Sequence, residues 1–443
     1  MLSLVVALFS TVIGTLLGIV LSKTTLPFRG IFLAVFIIPL LIPPYIFAFS
    51  WFEFIGREGV LGELFFGFWG VAFILFWVYL PIPMLLSRLF LAQIDPKLEE
   101  SALLLCGWRG VLGSITLPLL KPVLIFSSLL VFILTFGEFS VANFLRYPIF
   151  PMESFTQFSA FYDFKMATVT AMPMVVMALV VKWLMERYRL GVAFKTTQQI
   201  KQIELTGSKR VLLIVVMGLA LVVLLPLALL VVHTDMSSFL IALEKGFHPL
   251  MRSIFYALMG ATLLMVLGFW MGYISQQGGR FVEAVLLFLF ITPATVVGIG
   301  LTLFWNSAWS SWLYGTPLMI LLGYLSKYLF LTTKIAQIRL SQIPPSMVES
   351  AQLAGARWGS VVWSILLPLS REALVGMWLI GFIFALRETT ITMLVYPAGG
   401  DTLPLYILTQ MANGDPKVIA SLCLMMIGVV LIPLGVYGVW RRR

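Results

Sequence analysis

Gln342-Ile343-Pro344-Pro345-Ser346-Met347-Val348-Glu349-Ser350-Ala351, continuing through Gly355-Ala356-Arg357-Trp358 to Leu367-Pro368, is written twice in this chain. The other copy runs Gln93-Ile94-Asp95-Pro96-Lys97-Leu98-Glu99-Glu100-Ser101-Ala102, then Cys106-Gly107-Trp108-Arg109 and Leu117-Pro118. Each copy is a charged island in an apolar sequence. Together they mark a duplicated water-facing feature on a duplicated membrane body.

The surroundings establish the membrane. Of 443 residues, 60% are hydrophobic and 11% charged, with a mean hydropathy of +1.04. That is too little polar surface to cover a soluble globule of this length. Apolar runs of about 20 residues, enough to cross roughly 30 Å of hydrocarbon, lie at approximately 3 to 22, 31 to 52, 67 to 87, 119 to 137, 166 to 184, 211 to 232, 253 to 274, 282 to 305, 315 to 333, 373 to 393 and 418 to 439. Continuous runs such as Val211 to Val232 argue against a β-barrel, whose strands alternate, so these are eleven candidate helices. The first follows Met1 with no basic leader or small-residue cleavage site and reads as a retained span. Cys106 and Cys423 fall on a loop and inside a span, which disfavours a disulfide between them.

Charge orients the spans. The net charge of +10 does not form one patch. With both Glu-Ser-Ala loops on the cytoplasmic side and the spans alternating, 22 of the 29 Lys and Arg residues fall on or beside inner segments, which is the positive-inside pattern. Eleven of the 19 acids, among them Glu53, Glu138, Asp235, Glu388 and Asp401, fall outside. An acidic outer face is read either as topology signalling or as a cation-attracting vestibule.

At an offset of 250 residues, Ser3 falls on Ser253, Gly18 on Gly268, Pro43 on Pro293, Trp108 on Trp358, Leu117-Pro118 on Leu367-Pro368 and Glu138 on Glu388. One-residue slips align the two Glu-Ser-Ala triplets and Tyr147-Pro148 with Tyr396-Pro397. Each half has five matching spans. Because five is odd, halves of the same orientation require one more crossing between them, which Val211 to Val232 supplies. Parallel repeats place a shared pathway at their interface. The extra span has no counterpart before the first half, so the N-terminus is expected outside, and a related chain would carry one more leading helix.

Asp95 before Pro96 reads as an N-cap with proline at the first helical position, and Ser346 with Glu349 has capping-box spacing. A short helix is expected at each place. Gly107 or Gly355 should break it, and a second amphipathic segment should lead to Leu-Pro and the next span. The result is a knob with small residues outward, presented twice to the cytoplasm, which suits a two-fold partner. The copies differ: Glu100 to Pro118 is 18 residues and Glu349 to Pro368 is 19, and Cys106 aligns with Gly355, leaving Gly107 shifted. This predicts stronger coupling through the Glu349 loop.

The Glu-Ser-Ala, Gly, Leu-Pro pattern resembles the EAA motif of ABC-importer permease subunits. Its duplication in one chain is similar to the fused permeases of the ferric-iron family, with thiamine permeases close behind, and covers nearly the whole chain apart from the leading helix. The resemblance implies an all-α integral membrane protein with the type I permease fold, about 11 transmembrane helices in two parallel repeats. The first half is 1–185 with loop 93–118, the cytoplasmic linker 186–210, and the second half 211–443 with leading helix 211–232 and loop 342–368. It further implies that each loop is a coupling helix in a groove of a cytoplasmic ATPase dimer. Glu100 and Glu349 would contact or orient the ATPase, Ser101, Ala102, Ser350 and Ala351 would pack, and Gly107 and Gly355 would permit the turn.

The substrate implied is ferric iron, with thiamine, phosphonate or another small solute as alternatives, brought by an extracytoplasmic binding protein to outer loops near 138–165 and 387–416. The setting is a bacterial-type cytoplasmic (inner) membrane with the C-terminus cytoplasmic. No P-loop sequence and no Gly-Lys pair occur, so this chain is read as a permease and not an enzyme, binding no cofactor itself. ATP and Mg belong to the partner ATPase, and nucleic acid is not a partner. A secondary transporter driven by ion gradients, or a membrane scaffold without transport, are the rival classes; both leave the paired knobs unexplained.

Inside the second span of each half, Pro39, Pro43 and Pro44, then Pro293 with Gly298 and Gly300, interrupt the helix. Such breaks are tolerated where protein or a water-filled cavity satisfies the freed backbone, so these helices either line the path or carry packing kinks. Glu138 and Glu388 are matched near the outer span ends. Buried ionisable groups in a membrane are costly and point to function, and hard cations prefer carboxylate oxygen; alternatively the pair sits at the interface, or Glu388 balances Arg387. His233 and His248 read as surface residues of an outer loop.

Overall fold

The computed structural model describes residues 1–56, 60–188, 200, 209–310 and 312–440, with no side chains described for Val60, Leu61, Leu64, Arg109, Val439 and Trp440. Most of the linker read at 186–210 lies outside the described residues, as do the basic residues 441–443. All regular elements of the described residues are helices, as expected where lipid offers the backbone no hydrogen-bond partner.

In chain order the first half contains α1 (Leu2–Lys23), α2 (Arg29–Leu41), α3 (Pro44–Ile55), α4 (Val60–Phe65), α5 (Phe68–Tyr79), α6 (Pro81–Leu91), α7 (Pro96–Val111), α8 (Leu117–Phe136), α9 (Ser140–Phe144), α10 (Phe150–Ser159) and α11 (Phe164–Arg187). There follow α12 (Lys209–His233), α13 (Met236–Gln276), α14 (Arg280–Ile291), α15 (Ala294–Trp305), α16 (Pro317–Ser341), α17 (Pro345–Leu353), α18 (Trp358–Val361), α19 (Leu367–Leu369), α20 (Arg371–Arg387), α21 (Thr390–Val395), α22 (Leu403–Asn413) and α23 (Pro416–Trp440).

Among the described residues, eight helices, or merged helix pairs such as Phe68–Leu91, are long and apolar enough to cross a membrane, and three bent pairs bring the number to eleven. The expected spans near 31 to 52 and 282 to 305 are two of these pairs, turning by 104° between α2 and α3 and by 109° between α14 and α15. Each is an elbow rather than a kinked rod. Two extended residues separate the half-helices: Ile42 and Pro43 in the first, Thr292 and Pro293 in the second, with Pro43 at φ −56°, ψ 132° and Pro293 at φ −54°, ψ 141°. Proline at this point removes a backbone donor and forces its predecessor out of the helical region. The third pair bends by 74° at Ser370, between the segment Trp358–Leu369 and α20.

The chain forms two compact units. One comprises Met1–Ile241 with Gln410–Leu424, the other Ala242–Thr409 with Met425–Arg443. In the first, α1 packs along α5, α6 and α8. A methyl group on Gly18 would lie 2.7 Å from the Met84 carbonyl oxygen, so small residues let these helices touch backbone to backbone. Although sequence order places the leading helix with the second half, α12 packs against α2 and α3. In the second unit, α16 packs against α14, α20 and α21, and Gly268 approaches Thr332 as Gly18 approaches Met84.

Candidate functional site

Knob one begins where expected. The Asp95 carboxylate accepts from the Lys97 amide at 3.0 Å, and α7 starts at Pro96. Gly107 takes φ +61°, ψ −178° and breaks the helix, a conformation at little cost only without a Cβ. Cys106 stays helical, its thiol donating to the Ala102 carbonyl at 3.1 Å, so the turn is made by the shifted glycine and not by the residue that aligns with Gly355. Glu100 and Ser101 are exposed and Ala102 is half-buried; the Ser101 hydroxyl donates to Lys97 O. Beneath them Glu99 is buried, 3% exposed, against Lys23 at the C-terminal end of α1, 1% exposed, and it accepts from Thr116 at 3.1 Å.

Knob two is built differently. Ser346 forms no cap: α17 starts at Pro345 with Pro344 as its capping residue and no side-chain cap bond. Two consecutive prolines fix the entry, placing Ser346 inside the first turn, where it cannot serve the box that its spacing to Glu349 suggested. At the other end Gly355 takes φ +83°. Its amide donates to Gln352 O and the Ala356 amide to Ala351 O, both at 2.9 Å, which is the Schellman pattern of helix closure. Glu349 and Ser350 are exposed and Ala351 half-buried. The underside is apolar: Val348, Tyr273 and Leu366 belong to one cluster with Phe269, Leu340 and Met377. Trp358 stacks on Trp270 with ring centroids 5.3 Å apart and donates its indole N–H to the Tyr273 hydroxyl at 3.1 Å.

Both knobs carry a residue that motif reading passed over. Leu104 and Leu353, each 89% exposed, lie four residues after Glu100 and Glu349, and Leu105, also 89% exposed, has no counterpart in knob two. A leucine on a polar, water-facing helix was the available signal. After each knob comes a five-residue π-turn, Leu112–Thr116 and Val362–Leu366, in register at the offset of 250.

The four pathway candidates fall at helix ends. Pro43 and Pro293 form the elbows. Glu138 and Glu388 are buried, each accepting backbone amides at the start of a short helix: Ser140 and Val141 on Glu138 at 3.1 and 3.0 Å, and Ile391 on Glu388 at 2.9 Å. Carboxylates at helix N-termini are stabilised by those orphan donors. Glu138 also accepts from the Ser140 hydroxyl at 2.6 Å, and Glu388 from the Tyr328 hydroxyl. The Arg387 guanidinium lies 5.3 Å from the Phe384 ring centroid. Asp235 pairs with Lys417 at 2.9 Å and Asp401 with Arg252 at 2.5 Å, while His233 lies 3.9 Å from Glu53. Hydrogen bonds from Lys417 and from Ser238 hold the Asp235 carboxyl well below the usual carboxylate range. Asp235 and Asp401, two of the acids expected outside, are thus engaged by bases of their own chain.

With this geometry in place, comparison with known proteins is informative. Residues 264–443 match the family described as binding-protein-dependent transport system inner membrane component. The chain is 24% identical over 456 residues to the ferric transport system permease protein FbpB of Actinobacillus pleuropneumoniae, covering 93% of this chain and 66% of that protein. To the putative ferric transport system permease protein FbpB 1 of Haemophilus influenzae it is 24% identical over 442 residues, 90% of this chain and 69% of the relative. The molybdenum transport system permease protein ModB of Escherichia coli is 32% identical over 143 residues, 30% of this chain and 62% of ModB. The chain therefore spans about two thirds of the length of the ferric permeases it matches.

Proposed function

We propose, from the premise that this chain is an ABC-importer permease whose residues 264–443 belong to the binding-protein-dependent inner membrane components, that it carries ferric iron into the cytoplasm. A separate ATPase dimer would dock on the two knobs, and an extracytoplasmic binding protein would deliver the substrate. Closure and opening of the ATPases would move the knobs and so alternate the access of the two membrane halves. The observation that carries the docking reading is the matched presentation of Glu100 with Leu104 and Glu349 with Leu353 on helices ended by left-handed glycines. The metal reading is supported by ferric permeases that align over nine-tenths of the chain, whereas the molybdenum permease aligns with a shorter stretch.

Orientation follows from the same reading: knobs and C-terminus in the cytoplasm, N-terminus outside. A C-terminal fluorescent protein that folds only in the cytoplasm should be bright, and a dark fusion at full expression would reverse the topology. For function, the permease co-expressed with its ATPase and binding protein should take up radioactive ferric iron. Excess unlabelled ferric citrate should suppress the signal and excess molybdate should not. Suppression by molybdate alone would overturn the metal. In the same cells Glu349→Lys should abolish uptake with the protein still inserted; full uptake by that variant would overturn the docking role.

A further inference from the structure

At the second elbow, the last turn of α14 leaves carbonyl groups with no helical partner. The Lys327 ammonium, reaching from the middle of α16, fills that end. Its Nζ donates to Phe290 O at 2.8 Å, in the last turn of α14, and to Thr292 O at 2.5 Å, its capping residue just before Pro293. The side chain is only 8% exposed. On the same face of α16, one turn apart, Tyr328 donates to Glu388 and the Tyr324 hydroxyl lies 3.5 Å from the Thr392 hydroxyl. The carbonyl end of a broken helix beside a carboxylate is the arrangement that coordinates small cations in membranes. Here the cation is tethered.

The first elbow carries different residues at the matching positions of the neighbouring helix. At the offset of 250, Lys327 becomes Trp77, Tyr328 becomes Val78 and Tyr324 becomes Ile74. The Trp77 indole N–H is buried and finds no hydrogen-bond partner among the described residues. Two elbows of nearly equal angle, 104° and 109°, thus differ at the position of Lys327. A buried ionisable side chain within a span is costly unless it is paired and used, and only the second half contains one at this position.

The geometry points to Lys327 as a positioning residue for transport: its ammonium occupies a cation niche made by Phe290 O and Thr292 O, and so fixes the second elbow. Two carbonyl oxygens presented together suit an ammonium, whose N–H groups are all donors.

The test uses the full chain in lipid nanodiscs and reads hydrogen exchange over residues 288–297, with 38–47 of the first elbow as internal control. Lys327→Met keeps the length of the side chain and removes the charge; it should speed exchange at the second elbow roughly ten- to a hundredfold, the loss of charge-assisted bonds to buried carbonyls, and leave the control unchanged. Lys327→Met combined with Glu388→Gln should stay fast; restoration to the wild-type rate would mean that Lys327 only balances Glu388, overturning the niche. With Lys327→Ala, added propylammonium should slow exchange again and propanol should not. Equal rescue by propanol, or unchanged exchange in Lys327→Met, would overturn the inference.

A second arm rests on the importer reading. In the transporter assembled with its ATPase and binding protein, Lys327→Met should lower ferric uptake per ATP hydrolysed severalfold. Uptake and hydrolysis falling in equal proportion would reduce Lys327 to a folding role. If wild-type shows no ferric uptake, the substrate reading fails while the exchange arm stands untouched.

Discussion

Under knob one, Glu99 meets Lys23 and Thr116; at the corresponding positions under knob two stand Val348, Tyr273 and Leu366. The same helix-turn presentation is anchored once by a buried ion pair and once by an apolar cluster reinforced with stacked indoles. Charge-assisted bonds are directional and short, whereas apolar contact depends on area. Knob one is therefore fixed to a single orientation against α1, and knob two is held by how much surface Trp358 and its neighbours cover. The water-facing sides remain alike, with a glutamate, a serine and an exposed leucine in the same order. Duplication preserved what a partner would touch and left the supporting chemistry free to diverge.

The largest expected effect separates these anchors. Glu99→Ala leaves the Lys23 ammonium buried and unpaired and should cost about 3–5 kcal/mol, whereas converting all three positions together, Lys23→Tyr with Glu99→Val and Thr116→Leu, should come close to wild-type stability. Thermal unfolding of purified protein in detergent measures both; a mild single variant would mean that the pair contributes little. Next, on the proposed docking, Leu353→Asp should weaken binding of the ATPase by about 2 kcal/mol, roughly thirtyfold, as for a well-packed anchor at an interface. Leu104→Asp should do less, because Leu105 stands exposed beside it. Titration of the permease with the ATPase reads the difference, and equal losses would make the knobs equivalent.

Smaller effects test the turns and caps. Gly107→Ala and Gly355→Ala each force a Cβ into the left-handed region, at about 1–2 kcal/mol. Gly107→Ala should be the worse of the two by melting temperature, because its φ +61°, ψ −178° is a conformation open essentially to glycine alone. At the weakest end, Asp95→Ala should remove a helix cap at about 1 kcal/mol, while Ser346→Ala should change nothing measurable, since the prolines already open that helix. A measurable loss from Ser346→Ala would restore the capping box to knob two.

Much of this was legible in the sequence because it depends on local pattern. Apolar runs gave the spans, the offset of 250 gave the repeat, and glycine after Glu-Ser-Ala marked the left-handed turns at Gly107 and Gly355. The elbows were only half legible. Prolines located Pro43 and Pro293, but a hydropathy window reads two half-helices as one continuous run and carries no angle. The Lys23–Glu99 pair joins residues 76 apart, and Lys327 reaches carbonyls 35 and 37 residues earlier; no local spacing announces either. The capping box at Ser346 failed because Pro344 and Pro345 set the helix start first. The π-turns left no mark in composition, since they differ from α-helix only in hydrogen-bond register.

The unlike anchors also bear on inheritance. Two similar stretches within one gene invite exchange, by which one copy overwrites part of the other. A patch carrying knob two into the first half without the α1 segment would set Val348 against Lys23; the reverse patch would set Glu99 against Tyr273. Either product buries a lone charge, a penalty of about 3–5 kcal/mol that is a large share of the total stability of about 5–15 kcal/mol. The mismatch is thus a barrier to homogenisation, and it lets the two halves of the chain keep separate evolutionary histories.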